Sequence, residues 1–434
     1  MSRRLVPAIA ALALATSGLA AAISPADAAR PAEAASPAAA TAAAPTPSTK
    51  LVKSPYGMRA SGYGTRVRGG QIPAGSGTTA YDSTGCTTSI GREAGNTQAG
   101  VNLQGLGTVG AVDTSLRTEK VNGQIASVSE HKVAGINLDL GAGTGLSITA
   151  INTIARAYHD KTGFHATSDT TIGNIVLTVG GIATPIPIPA PDTPIVIPGL
   201  VSIEVGRSEI KEGPNGAQAR EKGVQIEIPG AGAKLKIAAS FASIEDGVTF
   251  GPLHGNASTT RIAVLGDLIT SGPTLKIIMP CAGTGGEVKS KELAGVNLAN
   301  QLVIGAATST QMGKQSKTRA IGFEQAQVAK VDLGNGALVI NAITGRVNVS
   351  RVKGKKAVAN ANGTTVGSII ANGQEQAIPD PGQAIEIPGL AKIAFNVQEK
   401  IPGGLHVIAI QITLLDGTAA VINIGEAKLA IRKG

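Results

Sequence analysis

The chain has 434 residues, a formal net charge of +9, 57 glycines, two cysteines and no tryptophan. Four Tyr and five Phe in such a length do not supply the stacking platforms that sugar modules and single-strand nucleic-acid grooves use, so neither class is expected, and no nucleic-acid partner. The 380 residues after position 54 are enough for one large or two medium cores, so disulfides are not needed to make up for a small one.

The first 28 residues, MSRRLVPAIAALALATSGLAAAISPADA, place Arg3 and Arg4 before an apolar run and small residues around Ala26-Asp27-Ala28. That is the anatomy of a secretory signal peptide. The Ser2-Arg3-Arg4 triplet hints at twin-arginine export, but the rest of that signal is missing, and the general route is preferred. Residues 29–54, rich in Ala, Pro and Thr, have almost nothing to bury and read as a disordered spacer. No later apolar run reaches the length that spans a bilayer, so no transmembrane segment is expected after cleavage. The mature protein is expected outside the cell, secreted or loosely wall-associated.

Short segments that alternate or run apolar follow: VSIEV (201–205), VQIEI (224–228), KLKIA (234–238), IEI (385–387) and HVIAIQI (406–412), each bounded by Gly, Pro, Asn or Asp. These are strand signals, and no long helical period competes with them. The expected class is all-β, as sandwich or barrel-like domains. The proline-rich stretch TPIPIPAPDTP (184–194) cannot be a central strand, because each Pro lacks a ladder donor.

AGVNL occurs at 99–103 and again at 294–298, and Cys86 and Cys281 precede the two copies by the same thirteen residues. Sliding Tyr56–Leu103 by 195 onto Gly251–Leu298 gives 12 identities in 48 positions, Thr65-Arg66 on Thr260-Arg261 among them. With small gaps, LSITAI (146–151) answers LVINAI (338–343), and VIPGL (196–200) answers EIPGL (386–390). The chain therefore reads as two tandem copies of one β domain, 55–249 and 250–434. Equivalent positions meet only near a pseudo-twofold axis, and in an exported protein two lone thiols favour pairing. A Cys86–Cys281 bridge across that axis is expected; the alternative is two separately buried thiols.

Chemistry-bearing clusters are few. AYHDKTGFH (157–165) holds His159, Asp160 and His165, a spacing that can bind metal, yet a zinc site wants three or four supported ligands. The expectation is a solvated loop between strands. His131, His254 and His406 are scattered, and no nucleophile elbow, zinc helix or phosphate loop occurs. The glycine-rich GAGTG (141–145) and GTGG (283–286) read as turns. Acidic residues are expected on solvated strand faces, and Tyr56, Tyr63 and Tyr81 at the edge of the first core. No catalytic residue, metal or cofactor is expected.

Charge divides unevenly. Residues 55–249 carry 15 basic and 16 acidic side chains, net −1, whereas 250–434 carry 18 and 11, net +7. The excess gathers at Lys314, Lys317 and Arg319 and at Arg351, Lys353, Lys355 and Lys356. These seven are the candidate contact to an anionic cell-wall polymer, against the plainer reading of a solubilising face.

The run CAGTGG (281–286), AIPDPGQAIEIPGLAKIAFNVQEKIPGG (377–404) and HVIAIQITLLDGTAAVINIGEAKLAI (406–431) resembles the choice-of-anchor P proteins, exported β-module proteins of high-GC Gram-positive bacteria with no assigned activity. The resemblance covers most of the second copy and, more weakly, the first. It implies an exported Gly- and Pro-rich β module and transfers no catalytic residue. Relatives often carry a further cysteine near the module's end; its absence here favours pairing between the copies. No recognisable anchor follows the module, so covalent surface attachment is not expected. The reading is a non-catalytic structural or interaction protein of the cell envelope or extracellular matrix. One alternative is a β protein binding a small apolar ligand between its sheets; another is a secreted hydrolase using the His159, Asp160 and His165 loop.

Overall fold

The computed structural model describes residues 51–69, 78–103, 106–191, 193–263, 271–298, 302–415 and 420–432. The expected signal peptide, and the expected spacer as far as residue 50, lie outside the described residues. The first strand, Val52–Gly69, begins three residues inside the span assigned to the spacer.

Among the described residues the chain is nearly all strand, with one 3-10 turn at Pro229–Ala231. Residues Thr49–Gly434 form one compact unit. Within it are four antiparallel sheets, two built from residues before 250 and two from residues after. Five neighbouring strands of the seven-stranded sheet of the first half run Ile195–Ile197, Val201–Gly213, Gly216–Ile228, Ala233–Glu245, Val52–Gly69, and the short strands Asp82–Ser83 and Thr87–Ile90 pair with the last. Its counterpart in the second half runs Ala384–Ile387, Ala391–Ile401, Gly404–Leu414, Val421–Ile431, Leu253–Ala263. In each, the first long strand of the half pairs with its last, so each half closes on itself.

The nine-stranded sheets repeat the match. One orders Ile182–Ile186, Asn174–Val179, Thr144–Asp160, Gln124–Gly141, Gly107–Val109; the other orders Gln374–Gln376, Ser368–Ala371, Leu338–Val352, Arg319–Leu333, Leu302–Ile304. Irregularities recur as well. Ala150 and Ala342 occupy equivalent places in their strands, and both have φ of 51°. The hydroxyl pair Thr65–Thr79, at 2.7 Å, is answered by Thr260–Thr274, 195 residues on.

Period-two alternation drives this packing. In Val201–Gly213, Val201, Ile203 and Val205 are buried while Ser202 and Glu204 are only half covered. A one-residue slip would exchange the two faces, so burial fixes the register. The buried apolar clusters divide with the halves: two hold only residues before 250, three only residues from 250 onward. The proline-rich stretch behaves as its missing donors require. Thr184 and Pro185 lie in the edge strand Ile182–Ile186, which stops before Pro187, and the chain then crosses to Ile195–Ile197 at the edge of the other sheet.

Candidate functional site

Cys86 and Cys281 are joined, with Cα atoms 5.3 Å apart. Around the bridge the halves exchange hydrogen bonds. The Cys86 N–H donates to His254 Nδ1 at 3.4 Å, Arg59 Nη1 to the Met279 carbonyl at 3.3 Å, and the Ala282 N–H to Glu245 Oε1 at 2.8 Å.

The seven basic candidates gather at one end of a sheet. Lys314 lies near the end of the strand Ala307–Gln315, Lys317 in the following turn, and Arg319 opens the strand Arg319–Leu333. That strand pairs with Leu338–Val352, placing Arg319 opposite Val352 and Ala320 opposite Arg351. The Lys353 N–H then donates to the Thr318 carbonyl at 2.8 Å, which ties the two basic loops together. Arg351 is half-buried against the Phe250 ring, 5.6 Å from its centroid; the other six are exposed. Among the described residues none of the seven enters an ion pair. Their charge is uncompensated locally.

The equivalent end of the first half is the hairpin of Thr144–Asp160 and Gly163–Thr171, which carries the histidine candidates. Register sets His159 beside Phe164 and His165 beside Tyr158, hence on opposite faces. His159 stacks on Tyr56 at 4.5 Å, with the Tyr56 hydroxyl 3.1 Å from its Nδ1. His165 lies 2.8 Å from Thr162 Oγ1 and 3.5 Å from Asp160. The Thr162 hydroxyl and N–H both donate to Asp160, and they hold that half-buried carboxyl down to about 2. The acid caps its own turn. Among the described residues no three His, Cys, Asp or Glu side chains are grouped to hold a metal ion.

Two further polar arrangements escape a sequence reading. His131 is fully buried between Thr114 Oγ1 at 2.9 Å and Ser129 Oγ at 3.1 Å, and burial drives its pKa down to about 3. A groove of about 640 Å³ is lined by Gln325, Arg346, Asn348 and Asn360. There Arg346 lies 4.1 Å over the Phe323 ring and donates to Gln325 and Asn348 at 2.7 and 2.9 Å. Alternation marks this face as polar, but its amides are largely spent on one another.

Glu324 corrects the expectation that acids sit on solvated faces. It belongs to the inward set of its strand, with Ala320, Gly322 and Ala326, and is completely buried. Neither of its carboxyl oxygens has a hydrogen-bond partner, and neither does Oε1 of Gln311, its cross-strand neighbour. Burial raises its pKa well above the ordinary carboxylate value. Tyr81 is a second correction: it is 45% exposed rather than packed at the core edge. Tyr56 does pack there, against the cluster of Met58, Ala155 and Ile244.

The repeated Thr-Arg dipeptide also acquires a reason in the second half. Arg261 Nε lies 3.2 Å from Glu426, and His406 Nε2 lies 3.0 Å from the same carboxylate. The bond to Glu426 raises the His406 pKa above its ordinary value. Compared with known proteins, the chain matches no family model and no curated protein.

Proposed function

We propose that this chain is a secreted, non-catalytic structural or interaction protein of the cell envelope, related to the exported β-module proteins its second half resembles. Its second half contacts an anionic cell-wall polymer. The observation that carries this reading is the cationic end of the sheet, where two loops are tied by the Lys353 to Thr318 bond and, among the described residues, no carboxylate pairs with their cations. A polyanion approaching that end meets several solvated charges without having to break an ion pair. The equivalent end of the first half has its Asp160 carboxylate committed to its own turn, which favours one contact over two.

Because exposed Lys and Arg act through a screened field, the attraction is ionic-strength dependent. Full-length protein, titrated onto immobilised anionic wall polymer, is expected to bind at low salt and to release by about 0.5 M, where the Debye length is roughly 4 Å. Binding that persists at that salt would reject the electrostatic contact.

A further inference from the structure

A second cleft, about 180 Å³ in volume, lies between the halves. Positions related by the 195-residue repeat line it in pairs: Arg59 with His254, Ser61 with Asn256, Tyr81 with Lys276, and Ser83 with Ile278. The cleft therefore sits where equivalent strands of the halves face each other, beside the Cys86–Cys281 bridge.

Its lining contains three cations, Arg59, Arg220 and Lys276, and no carboxylate. None of the three enters an ion pair among the described residues. The guanidinium groups of Arg59 and Arg220 lie 4.9 and 5.0 Å from the centroid of the Phe241 ring. Stacking of that kind fixes the plane of an arginine and leaves N–H groups at its edge for an anion, although Arg59 gives one of its own, on Nη1, to the Met279 carbonyl. Lys276 Nζ stands 5.9 Å from the Tyr81 ring.

The neighbouring acids are engaged elsewhere. Glu245, which attracts Arg59, accepts the Ala282 N–H, and Glu426, which attracts Lys276, is held by Arg261 and His406. His254 is neutral: burial, with Arg432 next in effect, drives its pKa to about 3. Its Nδ1 accepts the Cys86 N–H, which assigns the proton to Nε2 and makes that atom a donor. Burial likewise lowers the pKa of Arg59 and of Lys276, the neighbouring Arg261 charge adding to it at Lys276. A bound anion would relieve both.

We infer that this inter-half cleft binds the phosphoryl group of a small phosphomonoester, with Arg59, Arg220 and Lys276 as its charge partners. A dianion matches three cations lining one cleft better than a single carboxylate does, and planar guanidinium forks suit phosphate oxygens. Phe241 and Ile278 offer apolar surface to the remainder of such a ligand. Because the cations come from both halves, the site is complete only in the joined molecule.

Isothermal titration of the full chain with inorganic phosphate, at constant ionic strength and with acetate as the monoanion control, tests this. Saturable phosphate binding that Arg220→Gln and Lys276→Gln each weaken by about tenfold or more is expected, the loss of one charge-assisted contact. Arg220 is exposed and Lys276 half-exposed, so both variants should fold, which circular dichroism would verify. The loop variant Lys353→Gln/Lys355→Gln/Lys356→Gln is expected to bind phosphate as the parent does, which separates this cleft from the polymer contact. Absence of saturable binding below about 10 mM, or binding that neither cleft variant weakens, would overturn the inference.

Discussion

Glu324 shows how one side chain can set a pH dependence. Its carboxyl is buried with both oxygens unpaired, so the folded protein holds it protonated, whereas the unfolded chain ionises it near the ordinary value of 4.5. A raised carboxyl pKa means that stability falls as pH rises from 4.5 toward the folded value. Glu324→Gln keeps the shape, removes the ionisation and offers N–H donors to the unpaired Gln311 oxygen. The variant is expected to be more stable than the parent at about pH 8, because the raised carboxyl pKa makes the parent lose stability above the ordinary carboxylate range. Near pH 4.5 the two should converge. Chemical denaturation at both pH values checks this, and a variant less stable at the higher pH would contradict it. Such a residue is invisible beforehand because in GFEQAQ a glutamate reads as a solvent-facing position; only the phase of the strand, set by sheet pairing, turns it inward. Cys86 and Cys281 were legible for the opposite reason, since their shared offset from AGVNL is a sequence property. Tyr81 was misplaced because an aromatic in a β sequence looks like core whichever face it occupies.

At the level of elements, alternation located the strands well: VSIEV, VQIEI, KLKIA and HVIAIQI all fall inside strands of the sheet that closes each half. What alternation cannot convey is which strands touch. Lys317 and Lys353 are 36 positions apart, and only the pairing of Arg319–Leu333 with Leu338–Val352 brings their loops together. The inter-half cleft is less legible still, because Arg59, Arg220 and Lys276 come from three distant strands or loops. The same pairing logic separates His159 from His165, which the string AYHDKTGFH presents as neighbours. Close approach between sheets gives a direct test. A Cβ on Gly345 would stand 1.8 Å from the Gly425 carbonyl oxygen, so the two sheets of the second half meet there backbone to backbone. In the first half Thr153 at the equivalent place instead donates to the Ala238 carbonyl at 3.1 Å. Gly345→Ala must push the sheets apart and is expected to cost about 1–3 kcal/mol, read as a lower denaturant midpoint. An unchanged midpoint would mean that the contact is looser than described.

The whole molecule is two halves of matching strand order, each with its own buried clusters, held across equivalent positions by one bridge. A disulfide closing 195 residues limits the unfolded chain strongly, by about 5 kcal/mol in the chain-entropy treatment. Non-reducing peptide mapping should recover the Cys86 and Cys281 peptides joined, and Cys86→Ser/Cys281→Ser should unfold at lower denaturant. Recovery of two alkylated thiols would contradict the bridge. Asymmetry is laid over this symmetry: the halves carry net −1 and +7, with the excess concentrated at one sheet end. Lys353, Lys355 and Lys356 are exposed and enter no ion pair among the described residues, so replacing them should change stability by no more than about 0.5 kcal/mol. The most direct measurement is therefore the affinity of the full chain for anionic wall polymer at low salt, compared with Lys353→Gln/Lys355→Gln/Lys356→Gln. A loss of about tenfold or more with unchanged thermal stability is the predicted result. Equal affinity of parent and variant would contradict the assignment of the contact to the cationic end of the second half.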